Sequence, residues 1–154
     1  MPGTESIQTL EVTKELEIAA SIDIVYETML EHLGPLNEAP DGTIHQLKLE
    51  AWPGGRWYRD FGNNIGHCWG YVQSIIPPAL IEIHGPVFMS APAISHLIFQ
   101  LKEENGLTHL KFSHRAIGQI PENVRDGVEM NIGWSRFAAN LKADVLAKTQ
   151  KEKK

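Results

Sequence analysis

PENVRDGVEMNIGWSRFAANLKADVLAK, from Pro121 to Lys148, decides how the rest of the chain is read. At ~100° per residue, Val124, Gly127, Met130, Trp134, Phe137, Ala138, Leu141 and Val145 fall on one helical face. Arg125, Glu129, Arg136 and Asn140 lie across from them. Pro121 suits a first helical turn, where its missing N–H costs nothing, and Glu122 and Asp126 favour the positive helix N-terminus. At ~1.5 Å per residue this helix is roughly 40 Å long. A one-sided helix is marginal alone in water, so it needs a long apolar partner surface.

The upstream sequence supplies that surface as strands. Ile7 to Ile18 alternates apolar and polar residues and predicts a first strand. Ser21 or Asp23 can cap a helix carrying Ile24, Val25, Met29, Leu30 and Leu33, which Gly34-Pro35 stops. Leu36 to Thr43 reads as a connecting loop. From Ile44 the period is two: Leu47, Leu49 and Ala51, a turn at Pro53-Gly54-Gly55, then Arg56 to Phe61 with Trp57, Arg59 and Phe61 on one face. Further strands run from His67 to Ile76 and from Leu80 to His84, separated by Pro77-Pro78. Gly85 to Ser95 is a Pro-interrupted loop carrying Val87, Phe88 and Met89. A hairpin then places Leu97, Phe99 and Leu101 beside Leu110 and Phe112, turning at Glu104-Asn105-Gly106.

The expected order is strand, helix, six strands, long helix. That is an α+β domain, a curved antiparallel sheet of about seven strands wrapped around a long C-terminal helix. All 154 residues form one domain, with 1–6 a loose leader and 149–154 a solvated tail. A curled sheet around a helix leaves a space between them, which is the natural ligand site.

Composition removes several classes of function. A net charge of −5 argues against nucleic acid as partner. Cys68 is the only cysteine, so an internal disulfide and a zinc ribbon are both excluded, in keeping with a cytoplasmic location. Met1 to Glu11 lacks the basic start and apolar core of a signal peptide. The apolar run from Ile75 to Ile94 holds four prolines, Glu82 and His84, so it is no membrane span.

Chemistry-bearing motifs are sparse. His67, His84, His96, His109 and His114 fall on separate strands or opposite faces, without metal-ligand spacing, and no cofactor is expected. Cys68 reads as a small core residue without a neighbour to activate it. His114 shares strand parity with Leu110 and Phe112 and projects inward on that pattern; Arg59 could neutralise an anionic ligand group. These two are the acid–base and charge candidates. The expected cavity lining is Trp57, Arg59, Leu97, Phe99, Leu110 and Phe112 from the sheet, with His114 at its exit. Gly127, Met130 and Trp134 complete it from the helix. Gly127 inside a helix costs ~1 kcal/mol against alanine, and space left for a ligand would explain it. On that reading Gly127→Leu stabilises the protein and impairs binding.

Five segments together resemble a known family. They are Ile18-Ala19-Ala20, Gly54-Gly55-Arg56-Trp57, Gly70-Tyr71-Val72 through Ile76-Pro77-Pro78-Ala79-Leu80-Ile81, Leu107 to His114, and Gly133-Trp134 followed by Leu141. In that order, across roughly residues 12 to 148, they resemble the SRPBCC superfamily. The nearest group is the one named after the activator of the heat-shock-protein-90 ATPase. The resemblance implies a helix-grip fold, related to the birch pollen allergen and START lipid-transfer domains, with a hydrophobic cavity between sheet and helix. Relatives include ligand carriers, polyketide cyclases and co-chaperone domains. The expected function is therefore binding of a small hydrophobic or amphipathic molecule. A cyclase- or hydrolase-type enzyme using the same cavity and a co-chaperone-like protein-binding module are the alternatives, and a homodimer is left open. Many relatives carry a tryptophan just after the first helix, but Leu33 to Asn37 offers none.

Overall fold

The computed structural model describes residues 6–152. Its elements are β1 (Gln8–Ile18), α1 (Ile22–Leu33), β2 (Leu47–Leu49), β3 (Arg56–Asp60), β4 (Gly66–Ile76), β5 (Leu80–Gly85), β6 (Ala93–Glu104), β7 (Leu107–Gly118) and α2 (Val128–Glu152). Strands β2 to β7 form an antiparallel meander, and β1 closes the order as β1-β7-β6-β5-β4-β3-β2. The sheet curves around α2, which is the helix-grip arrangement.

Ser21 caps α1 by accepting the Ile24 N–H, and the N–H of Gly34 ends the helix on the Leu30 carbonyl. Alternation sets the sheet's inner face: Ile81 and Ile83 on β5, Leu97 and Phe99 on β6, Leu110 and Phe112 on β7 are all buried. Against them α2 lays Met130, Trp134, Phe137, Leu141 and Val145, also buried. Each side chain of this size stabilises by ~1.5–3 kcal/mol when taken out of water, which supplies the partner surface a 25-residue helix requires. Phe99 stacks on Phe112 at 5.2 Å, and Phe112 meets Trp134 at 5.3 Å. Much of the space beneath the middle of the helix is thus filled by rings.

Four local expectations are corrected. The C-terminal helix begins at Val128, not Pro121. Pro121 to Arg125 closes a separate turn, with the Val124 and Arg125 N–H groups both donating to the Pro121 carbonyl. Gly127 follows at φ +70°, outside helical geometry, and its carbonyl accepts the Asn131 N–H as the helix starts. It is therefore a cap and not an interior glycine. At the other end the helix runs on through Thr149 to Glu152, so the expected solvated tail is helical that far. The rest of that tail and most of the expected leader lie outside the described residues.

The third correction concerns strict alternation along β4. Trp57 pairs with Gly70 and Tyr58 with Cys68, so Trp69 is an extra residue, a β-bulge. The bulge turns Trp69 inward beside Gly70, buries Val72 on the same face, and leaves Tyr71 exposed and Cys68 half-buried. Cys68 is consequently not a core residue. Fourth, β2 is only three residues long, because Gln46 at φ +57° breaks the extended run from Ile44.

Candidate functional site

At one end of the groove between sheet and helix the ring packing gives out and leaves a cleft of about 240 Å³. Trp57 enters from β3, and the β4 bulge delivers Trp69 beside it, the two rings edge to face at 5.2 Å. The β5–β6 loop adds Val87 and Phe88. Val87 is held at φ +61°, an uncommon conformation for a β-branched residue, while its N–H donates to the Trp69 carbonyl at 2.7 Å. That pinned backbone sets Phe88 at the rim, 39% exposed, its ring 6.3 Å from Trp69 and 6.4 Å from His114. Helix α2 contributes Met130, Trp134 and Phe137, with Glu129 exposed at the edge. Gly133 faces the opening, where an added Cβ would meet Pro40 alone, at 3.6 Å.

The α1–β2 loop forms the remaining wall with Asn37, Glu38, Pro40 and His45. Glu38 ties this loop to α2, its carboxylate accepting from Asn140 at 2.7 Å and from Arg136 at 3.3 Å. Asn37 donates its amide to the His32 carbonyl at 2.9 Å, which fixes its Oδ1 as the acceptor for Nδ1 of His45 at 2.6 Å. The proton of the neutral His45 ring is thereby assigned to Nδ1, and Nε2 carries the lone pair. Burial, and then the nearby Arg59 charge, push the His45 pKa below its ordinary value against the smaller raising pull of Asp41.

Of the residues expected to line the cavity, Trp57, Met130 and Trp134 border this cleft. Leu97, Phe99, Leu110 and Phe112 lie deeper, in the filled part of the core. Gly127 sits beyond the cleft at the start of α2, and a Cβ there would touch nothing within 4 Å. Arg59 is spent elsewhere: its Nε–H donates to the His45 carbonyl at 2.8 Å and its guanidinium covers exposed Phe61 at 4.9 Å. His114 does point inward, fully buried, but it lies behind the lining. The Trp134 indole N–H donates to its Nδ1 at 3.0 Å, and its Nε2 meets Ser95 Oγ at 2.7 Å. Because indole can only donate, Nε2 is the protonated nitrogen and donates to Ser95. Burial drives the His114 pKa down to about 4.

Asn37, Glu38 and Pro40 escape a reading of the sequence because a loop shows no periodicity to mark its inward side chains, and His45 because the strand expected from Ile44 begins only at Leu47. Trp69 was hidden by the bulge. Trp57 also answers the missing tryptophan after α1: its indole N–H donates to the Leu33 carbonyl at 2.6 Å, so a β3 side chain covers the end of that helix. Among the described residues no three His, Cys, Asp or Glu side chains come together as a metal site. Nor is any described helix long and apolar enough to cross a membrane.

The model of the activator of Hsp90 ATPase homolog 1-like protein family matches residues 19–145. Solved structures similar to this chain include a protein of unknown function from Staphylococcus aureus, 14% identical with a TM-score of 0.67, covering 94% of this chain and 98% of that one. The Aha1 dimer from Colwellia psychrerythraea is 17% identical with a TM-score of 0.62, over 88% and 96% of the two chains. Ara h 8.0201, a Bet v 1-like protein, is 12% identical with a TM-score of 0.57, over 92% and 99%. At these identities the likeness is one of fold. No protein of curated function matches the sequence.

Proposed function

The chain belongs to the activator of Hsp90 ATPase homolog 1-like family within the SRPBCC superfamily, and from that premise we propose that it binds a small hydrophobic or amphipathic molecule in the cleft between sheet and α2. The observation that carries this is the wall itself. Trp57, Trp69, Phe88, Trp134 and Phe137 surround an opening of about 240 Å³ that the surrounding core does not fill. Apolar walls with a few placed polar atoms are the usual make-up of a small-molecule site. The cleft is built on a strand bulge, a pinned loop and a long helix, so its shape exists before any ligand arrives.

The enzymatic alternative finds less support. An acid–base role for His114 needs a lone pair or proton within reach of a substrate, and both its nitrogens are engaged in the core. Arg59, its intended companion, is bound to the His45 backbone. We place the protein in the cytoplasm, in keeping with its single unpaired cysteine. A homodimer, the state named for the protein from Colwellia psychrerythraea, also fits this reading.

Tryptophan fluorescence tests the binding directly. Three of the four tryptophans line the cleft, and the fourth, Trp52, is 56% exposed. Titration with a hydrophobic dye should shift the emission, and Trp52→Phe should keep most of that shift. A response that vanishes with Trp52→Phe would place the dye on the surface and defeat the proposal. Native mass spectrometry of the freshly purified protein reports a co-purified ligand and the assembly mass in one measurement.

A further inference from the structure

The polar atoms around the cleft are unequally committed. Of the three lining indoles, Trp57 donates to the Leu33 carbonyl and Trp134 to Nδ1 of His114, while the buried Nε1–H of Trp69 has no partner among the described residues. The Asn37 amide is spent on the His32 carbonyl. His45, in contrast, uses only Nδ1, and its Nε2 lone pair has no partner among the described residues. The charged side chains at the rim, Glu38 and Glu129, are both carboxylates. The nearest cations are already engaged: Arg59 is bound to the His45 carbonyl and lies over Phe61, and Arg136 is paired with Glu38.

From this inventory, and resting on the cleft-binding reading above, we propose that the protein selects a flat aromatic ligand that bears a hydroxyl or amine. The donor N–H or O–H of that ligand bonds to Nε2 of His45, and anionic ligands such as carboxylates are rejected. Each part has its own cause. Ring walls favour a flat π-face over a flexible chain, since a rigid ligand stacks on them with little entropy lost. The unpartnered Nε2 of half-buried His45 favours a ligand that brings a donor to it over one that brings only another acceptor. Of the two carboxylates at the mouth, Glu38 is paired with Arg136, so Glu129 carries the negative charge that disfavours an anion, and no free cation in the lining offsets it. Size agrees with this class: an apolar cavity of ~150 Å³ takes benzene, so this larger cleft has room for fused rings. The depressed pKa of His45 keeps its lone pair available at neutral pH.

Calorimetric titration of the full chain with four matched probes separates the terms: naphthalene, 2-methoxynaphthalene, 2-naphthol and 2-naphthoate share one ring system. We expect 2-naphthol to bind roughly 5- to 10-fold more tightly than 2-methoxynaphthalene, the worth of one hydrogen bond, and 2-naphthoate to bind weakest. In His45→Leu the preference for 2-naphthol over its ether should vanish while naphthalene still binds. A second measurement needs no variant: the ¹⁵N resonance of His45 Nε2 should move upfield, as an accepted hydrogen bond requires, with 2-naphthol and stay put with naphthalene. If the ether or the carboxylate equals 2-naphthol, donor selection is wrong while binding in the cleft survives. If none of the four binds, both proposals fall.

Discussion

Acid should weaken this protein through His114 in particular. The imidazole is fully buried, and its pKa falls from 6.5 to about 4 because burial penalises the cation. Protonating Nδ1 would also turn an acceptor into a donor facing the Trp134 N–H. In the unfolded chain the same group takes a proton near its ordinary value. As pH drops below about 6.5, the unfolded state gains a proton that the folded state refuses, so stability falls. The loss continues down to about pH 4 and then stops, since both states are protonated below it. At ~1.4 kcal/mol per unit over this interval, His114 alone removes roughly 3 kcal/mol, a large share of the ~5–15 kcal/mol that holds a domain together. Urea melts of the protein and of His114→Leu across this range isolate the effect from the carboxylates, which are common to both. At neutral pH the variant should be weaker by a few kcal/mol, because it leaves the Trp134 N–H and the Ser95 hydroxyl unpaired, at ~1–3 kcal/mol for each such group. Towards pH 4 the gap should close by about 3 kcal/mol. Stability curves that stay parallel would refute the reasoning and show that the folded state takes the proton without penalty.

Three other substitutions probe different parts of the structure. Gly127→Leu should lower the unfolding free energy by ~1–2 kcal/mol, seen as a lower urea midpoint at unchanged slope, since a side chain at φ +70° is strained and meets nothing within 4 Å that could offset it; ligand affinity should not change, because Gly127 is outside the cleft. Trp57→Phe should cost about 3 kcal/mol in the same melts, the sum of an orphaned Leu33 carbonyl and lost packing, and should weaken dye binding as well. The Glu50 carboxyl, held at about 2 by hydrogen bonds from the Arg56 side chain and backbone, should return towards the ordinary carboxylate range in Arg56→Gln when followed by NMR titration, with almost no change in the thermal midpoint.

The chain's periodicities alone determined the architecture. Alternation from Leu47 to Phe112 and the apolar stripe from Met130 to Val145 each follow a backbone repeat, and a repeat that buries one face of a strand or helix leaves its mark in composition whatever it packs against. The inward direction of His114 was legible for the same reason, since it keeps the parity of Leu110 and Phe112. Features that depend on a break in the repeat were not legible. The bulge that brings Trp69 to the cleft is a mismatch between two strands, visible only once Tyr58 is seen opposite Cys68. Gly127 fitted the stripe in angle, but its carbonyl and backbone twist made it a cap. The most consequential case is His45. Its free Nε2 follows from a chain running through Asn37 to the carbonyl of His32 on another element, and hydrogen-bond direction across three residues has no signature in their order along the sequence. Sequence specified the groove; where it stays open, and which ring nitrogen beside it is left unpaired, came from residues that meet only when the loop folds back on the helix.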